Sequence, residues 1–184
     1  MIRGSVQGFL RKADALTLYE LAYLAPGDVL ELGSAWGLST SILAQAVRHS
    51  GRRARVASIE IAADFQQASR QTIQAAQLDP FYESLAGAAA QHLPALTAQG
   101  REFGMAFIDH DHSFEATREA CTALTHLLPA GGIAVFHDFN DARNREEPAV
   151  YGVYRGVCEW TMHNPDFAFI GIAGCCGLVQ RRTT

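Results

Sequence analysis

The chain has 184 residues, 48% hydrophobic and 18% charged, with a formal net charge of −4, a length that predicts one domain over 1–184 with a complete core. The arginines are scattered apart from Arg52, Arg53 and Arg55, which lacks the basic stripe of a nucleic-acid binder and excludes that partner. No apolar run approaches the ~20 residues that span a bilayer, and Lys12, Asp14 and Glu20 interrupt the stretch where a signal peptide would be apolar, so a cytoplasmic protein without a membrane partner is expected.

Residues 6–24 carry Phe9, Leu10, Ala13, Leu16, Leu21 and Leu24 at helical spacing, and Pro26-Gly27 closes that helix before an apolar strand over 28–32. A glycine-containing turn at 33–37 leads into a helix over 38–49. The pattern then alternates: strand 55–60, helix 63–77, strand 82–86, helix 89–98. Phe103 to Ile108 read as a buried strand running into Asp109-His110-Asp111-His112, with Ser113 near the cap of a helix that ends before Pro129. Ile133 to Phe136 form the next strand, ending at His137-Asp138. Residues 139–149 are polar and unpatterned and predict a long loop. A helix near 150–162 follows, then strands near 167–172 and 174–180 that meet at Ala173-Gly174 as an antiparallel hairpin. The expected fold is α/β: a Rossmann-like, doubly wound, mostly parallel seven-stranded sheet with helices on both faces. The domain divides into an N-terminal helix (1–24), a motif-bearing region (25–140), and a closing loop, helix and edge hairpin (141–184).

Cys121, Cys158, Cys175 and Cys176 form no CxxC pair and no zinc spacing. Reduced, mostly buried thiols are expected, with the adjacent pair on opposite faces of a strand.

In an open parallel sheet, ligands bind beyond the carboxyl ends of the strands. The turn Glu31-Leu-Gly33-Ser34-Ala-Trp-Gly37 lies at such an end, where glycine lets a ligand approach the backbone and the following helix offers free N–H groups. Its Gly-x-x-x-Gly spacing, with Ala35 between, disfavours dinucleotide binding and hence an NAD-dependent oxidoreductase. Glu60, 27 residues after Gly33 at the end of the second strand, can accept hydrogen bonds from ribose hydroxyls. Together they point to a nucleoside ligand; apart, each could be an ordinary turn or a solvated carboxylate. Asp109 and His137-Asp138 end strands that should be neighbours, so these three side chains converge on one side of the same pocket. Asp109 could instead only accept bonds from the next helix, His110 could be a solvated loop residue, and Asp111 could only complement that helix's positive end.

VLELGSAWGLSTSILA, VASIE, FIDHDHSFEATREA and LLPAGGIAVFHDF, in this order over residues 25–140, resemble the class I S-adenosylmethionine-dependent methyltransferases. The branch is that of small-molecule O-methyltransferases, which includes the macrocin and catechol enzymes. The resemblance implies that Glu31, Gly33 and Ser34 lie along the methionine part of S-adenosylmethionine, with Gly37 closing the turn. It places Glu60 on the ribose, Gly87 and Ala88 beside the adenine, and Asp109 at the cofactor's edge. It also implies a divalent cation on Asp109, His137 and Asp138, since Asp109 precedes His137 by the family's 28 positions, and a general base three residues beyond Asp109, at His112. Two departures are Ala35, where a glycine is common, and Ala88, where an acidic or polar residue is common.

The chemistry suits these residue types. A hydroxyl is a poor nucleophile toward a sulfonium methyl until it loses its proton, and a cation on carboxylates, with Mg²⁺ favoured, would lower its pKa and hold it. Histidine, with a reference pKa of ~6.5, is largely neutral at pH 7, whereas lysine at ~10.4 is not. The chain has seven histidines and a single distant lysine, Lys12. His49, His92, His126 and His163 fall on helix surfaces or ends. The expected function is methyl transfer from S-adenosylmethionine to a small hydroxylated acceptor. Acceptor specificity would come from Phe139, Asn140, Asp141, Arg143 and Tyr151, from the N-terminal helix, or from a second subunit in a homodimer. The alternatives are a cofactor-binding module without transferase activity, suggested by Ala35 and Ala88, and an enzyme akin to antibiotic hydroxylases.

Overall fold

A computed structural model describes residues 6–183; residues 1–5 of the predicted N-terminal region, and Thr184, lie outside the described residues. Seven strands form one sheet in the order β3-β2-β1-β4-β5-β7-β6. They are β1 (Asp28–Leu32), β2 (Val56–Glu60), β3 (Tyr82–Ala86), β4 (Phe103–Ile108), β5 (Ile133–Phe136), β6 (Phe167–Ala173) and β7 (Cys176–Arg181). The first five pair in parallel; β7 runs antiparallel to both β5 and β6. This is the expected mostly parallel sheet with a C-terminal hairpin.

Each crossover carries a helix, because a parallel connection must return over the sheet's face. Those helices are α2 (Leu38–Ser50), α3 (Ala63–Ala75), α4 (Ala89–Ala98) and α5 (Phe114–Leu127); α1 (Lys12–Leu24) precedes β1, and α7 (Val153–His163) follows the long loop, which contains one short turn of helix, α6 (Arg143–Glu146). Strand alternation divides the interior into two cores. Val29, Val56, Met105 and Phe107 face α1 and α2, whereas Leu30, Leu32, Ala106 and Phe136 face α5 and α7. The central strands are buried on both sides and therefore read as near-continuous apolar runs. Among the described residues, no helix is long and apolar enough to cross a membrane.

Two sequence expectations need correction. The first helix begins at Lys12, not residue 6, because Asp14 accepts the Arg11 N–H at 3.1 Å and so starts the helix there. Residues 7–10 instead run without helical structure and line the cavity described below. The hairpin turn is Gly174-Cys175, so Cys175 belongs to the turn and the adjacent thiols do not alternate across a strand.

Candidate active site

The carboxyl ends of β1, β2 and β4 surround a cavity of about 690 Å³, within the ~300–1,000 Å³ of small-molecule sites. Gly33 is required at its floor on two counts. Its φ is +89°, and a Cβ there would stand 2.3 Å from the Asp109 carbonyl oxygen. The turn is then held by Glu60, whose Oε2 accepts the N–H groups of Ser34 and Ala35, both at 3.0 Å, while Oε1 accepts the Ala62 N–H at 2.9 Å. Oε2 also accepts the Ser34 hydroxyl at 3.5 Å; with about two lone-pair sites per carboxylate oxygen, Oε1 keeps about one for a ligand hydroxyl. Glu60 thus organises the glycine turn as well as facing the cavity. Ala35, in the place of a common glycine, still adopts a left-handed φ of +42°, a conformation that costs a non-glycine residue about 1–3 kcal/mol.

Of the residues predicted to meet the cofactor, Gly33, Ser34, Glu60, Gly87, Ala88 and Asp109 line the cavity; Glu31 and Gly37 are not among its lining residues. Gly37 begins α2 and backs onto Ser69 of α3. Glu31 is fully buried on the α2 side of β1, where its Oε2 accepts the hydroxyls of Thr40 at 2.6 Å and Ser58 at 2.5 Å. Its Oε1 has no partner. Burial pushes its pKa up to about 7, against the opposing pull of the Ser58 and Thr40 hydrogen bonds.

On the opposite wall, β4 and β5 bring the acid and imidazole side chains together through their register, Ile108 pairing with Phe136. His137 Nδ1 lies 3.1 Å from Asp109 Oδ1 and 3.4 Å from Asp138 Oδ1; His112 Nε2 lies 3.4 Å from Asp109 Oδ1 and 3.4 Å from Asp138 Oδ2. Asp138 has a φ of +55°, the second strained position of the site. None of these contacts has hydrogen-bond geometry: His112 Nε2 and both ring nitrogens of His137 are buried without a partner. Burial would raise the pKa of Asp109, but the imidazoles of His112 and His137 outweigh it and hold the carboxyl below its usual range. His137 responds in kind. Its burial lowers basicity, yet Asp109, the Cys175 side chain and Asp138 together push it up to about 11. By donor type, imidazole nitrogens beside carboxylates suit a divalent ion once the rings are neutral. Among the described residues, His137, Cys175 and Cys176 are the group whose ligand atoms lie within 4.8 Å of one another; the predicted trio meets at His137 without that mutual closeness.

The residues expected to contact an acceptor take a different part. Tyr151 donates its hydroxyl to Asp138 Oδ2 at 2.5 Å and stacks its ring on His112 at 4.9 Å and 7° between planes. Arg143 covers the Tyr151 ring at 4.4 Å and reaches Asp138 Oδ2 at 3.1 Å. Phe139 is buried against Tyr154 and Phe169, and Asn140 donates its N–H to the Cys175 carbonyl. None of these residues lines the cavity. The long loop therefore braces the Asp/His cluster from behind. The cavity is instead closed by Gln7, Gly8, Phe9, Leu10, Trp36 and Phe65, with Trp36 edge-on to Phe65 at 4.9 Å and to Phe9 at 5.9 Å. Phe9 and Leu10 follow a helical period in sequence, so nothing in that pattern marked them as cavity lining. Of the set-aside histidines, His49 bonds Tyr19, His92 bonds the Ala86 carbonyl and His163 bonds the Glu159 carbonyl.

A parallel sheet whose last strand is inserted in reverse beside β5, with the cavity over the ends of β1 and β2, is the Rossmann-like methyltransferase fold. The model of a family described as a methyltransferase domain matches residues 30–139, and the chain belongs to that family. Among solved structures, the fold is similar to an O-methyltransferase from Bacillus cereus in complex with S-adenosylhomocysteine (SAH), at 18% identity and a TM-score of 0.82 over 95% of this chain and 83% of that one. It is also similar to TomG, the O-methyltransferase of tomaymycin synthesis from Streptomyces achromogenes in complex with S-adenosylmethionine (SAM), at 23% identity and a TM-score of 0.79 over 92% and 79% of the two chains. No curated protein matches the chain.

Proposed function

We propose that the chain transfers the methyl group of S-adenosylmethionine to a hydroxyl oxygen of a small acceptor, with His112 as general base and a divalent cation on Asp109, His137 and Asp138. The observation that carries this reading is the position of His112 Nε2. It is a buried nitrogen with no hydrogen-bond partner, 3.4 Å from both Asp109 and Asp138, on the wall of the cavity whose other wall is the glycine turn and Glu60. The bound SAH and SAM of the two O-methyltransferases similar in fold support the cofactor and the oxygen acceptor.

The glycine turn holds the methionine part, Glu60 offers its remaining lone pair to a ribose hydroxyl, and Gly87 and Ala88 flank the adenine. The sulfonium methyl then faces the Asp/His wall. His112 Nε2 accepts the acceptor's hydroxyl proton as the oxygen attacks the methyl in line and S-adenosylhomocysteine leaves. Tyr151 and Arg143 fix Asp138 and the His112 ring, so little reorganisation is needed as charge develops. A cation bound at Asp109, His137 and Asp138 would supply Lewis acidity and a fixed place for the acceptor oxygen. Carboxylates suit Mg²⁺, while the imidazole moves the preference toward Mn²⁺.

The test is formation of S-adenosylhomocysteine from S-adenosylmethionine with a panel of hydroxylated small molecules, with added Mg²⁺ or Mn²⁺ and after chelation. Turnover that stops on chelation and in Asp138→Ala is the expected result. Tight cofactor binding with no turnover on any hydroxylated acceptor would instead favour a binding module.

A further inference from the structure

We propose that His137, Cys175 and Cys176 form a binding site for a thiophilic divalent ion such as Zn²⁺, at the tip of the β6–β7 hairpin behind the carboxylate cluster. A ring nitrogen of His137 and the two sulfurs lie within 4.8 Å of one another, and all three residues are buried. In a four-coordinate zinc centre, with Zn–S of ~2.3 Å and Zn–N of ~2.0–2.1 Å, ligand atoms stand about 3.5 Å apart. Small rotamer shifts therefore suffice to close the three donors on one ion. His137 is 8% exposed and both its ring nitrogens lack a hydrogen-bond partner, so the imidazole has an unmet need that the thiols alone do not answer.

The backbone fixes this arrangement from three sides. Gly174 takes a φ of +62°, and a Cβ there would run into Asp14 Oδ1. That same oxygen, on a fully buried carboxylate of α1, accepts the Cys175 N–H at 2.9 Å. The Cys175 carbonyl in turn accepts the Asn140 N–H at 3.2 Å. The turn thus brings adjacent cysteines, which would diverge in a strand, to the same imidazole. Charge favours the occupant as well. Two thiolates balance a divalent ion, so a neutral unit is buried, and binding releases to solvent the two thiol protons and the second proton of the His137 ring. His137 also lines the cavity, which supplies the entry path. The donor set is soft where the Asp109 and Asp138 side is hard, and this selects Zn²⁺ over Mg²⁺. His137 is shared with the cation site proposed on Asp109 and Asp138; its neutral ring has one lone pair, so an ion held by the two thiolates leaves that cation to the two carboxylates.

Cobalt substitution tests the proposal directly. The reduced, metal-free protein is titrated with Co²⁺ and read by absorption. The expected result is a sulfur-to-cobalt charge-transfer band in the near ultraviolet, bleached by Zn²⁺, and retained in Asp138→Asn. Cys175→Ser and Cys176→Ser should each remove about half of its intensity, since each supplies one of two thiolates, and the double variant should remove all of it. Thermal unfolding reports whether the variants remain folded, and the wild-type spectrum is decisive by itself. Co²⁺ bound without a sulfur band, no Co²⁺ bound, or a band that survives loss of both cysteines would overturn the proposal.

Discussion

The two walls of the cavity are built on opposite principles. The wall formed by the glycine turn and Glu60 is made of backbone N–H groups that already have their acceptor: Ser34, Ala35 and Ala62 all donate to one carboxylate. The wall formed by Asp109, His112 and His137, with Asp138 behind it and outside the cavity lining, is made of side chains whose nitrogens have none. A wall that satisfies itself is a preformed mould for a ligand that varies little. A wall of close carboxylates and unpartnered imidazole nitrogens is held in readiness for an ion or a proton, and its partners are supplied by what binds. The braces differ accordingly. The first rests on β1 and β2, the second on a loop that presses Tyr151 and Arg143 against Asp138 and the His112 ring.

Breaking the reactive wall should give the largest effect. His112→Ala is expected to lower kcat about 10²–10⁴-fold, the usual contribution of a positioned base, while the dissociation constant for S-adenosylhomocysteine stays within about twofold. A comparable loss of cofactor affinity would mean that the two walls are not separate. The next effect concerns the buried carboxyl beneath the mould. Glu31 has its pKa raised to about 7 from 4.5, so the folded state holds a proton that the unfolded chain releases. As pH rises from about 4.5 to 7, this group therefore costs stability, up to about 3 kcal/mol at 1.36 kcal/mol per unit. Glu31→Gln should flatten that fall, seen as a smaller change of unfolding midpoint in urea across the window. An unchanged slope would place the carboxyl in a wetter environment.

Much of this comparison was legible in the sequence. The glycine turn, Glu60, Asp109, His112 and His137-Asp138 all sit at strand ends, where the alternation of apolar and polar segments marks the edge of the sheet, and the structure gathers most of them around one cavity. What escaped depends on tertiary contact. Phe9 and Leu10 continue a helical period, yet the helix begins at Lys12 because Asp14 accepts the Arg11 N–H. Tyr151 and Arg143 lie in an unpatterned loop, and only the folded loop turns them onto Asp138 instead of into the cavity. Cys175 and Cys176 read as alternating strand residues until a two-residue turn is formed through Gly174.

Two smaller perturbations sharpen the contrast on the mould side. Glu60→Ala leaves three N–H donors without their acceptor and removes the proposed ribose contact, so S-adenosylhomocysteine affinity should fall about 10–10²-fold by calorimetry, from the ~1–3 kcal/mol cost of an unmet buried donor. Glu60→Gln, which keeps an acceptor oxygen, should lose less. Ala35→Gly should raise stability by about 1 kcal/mol in urea unfolding, because glycine removes the strain of a left-handed φ. No gain would show that the turn relaxes around the alanine.

The most direct measurement is calorimetric titration of S-adenosylhomocysteine into the wild type, Glu60→Ala and Asp138→Ala, with methyl transfer assayed on the same three preparations. The division into a mould and a reactive wall predicts that Glu60→Ala weakens binding, whereas Asp138→Ala binds like the wild type and transfers no methyl group. Equal loss of binding in both variants, or a wild type that does not bind S-adenosylhomocysteine, would contradict it.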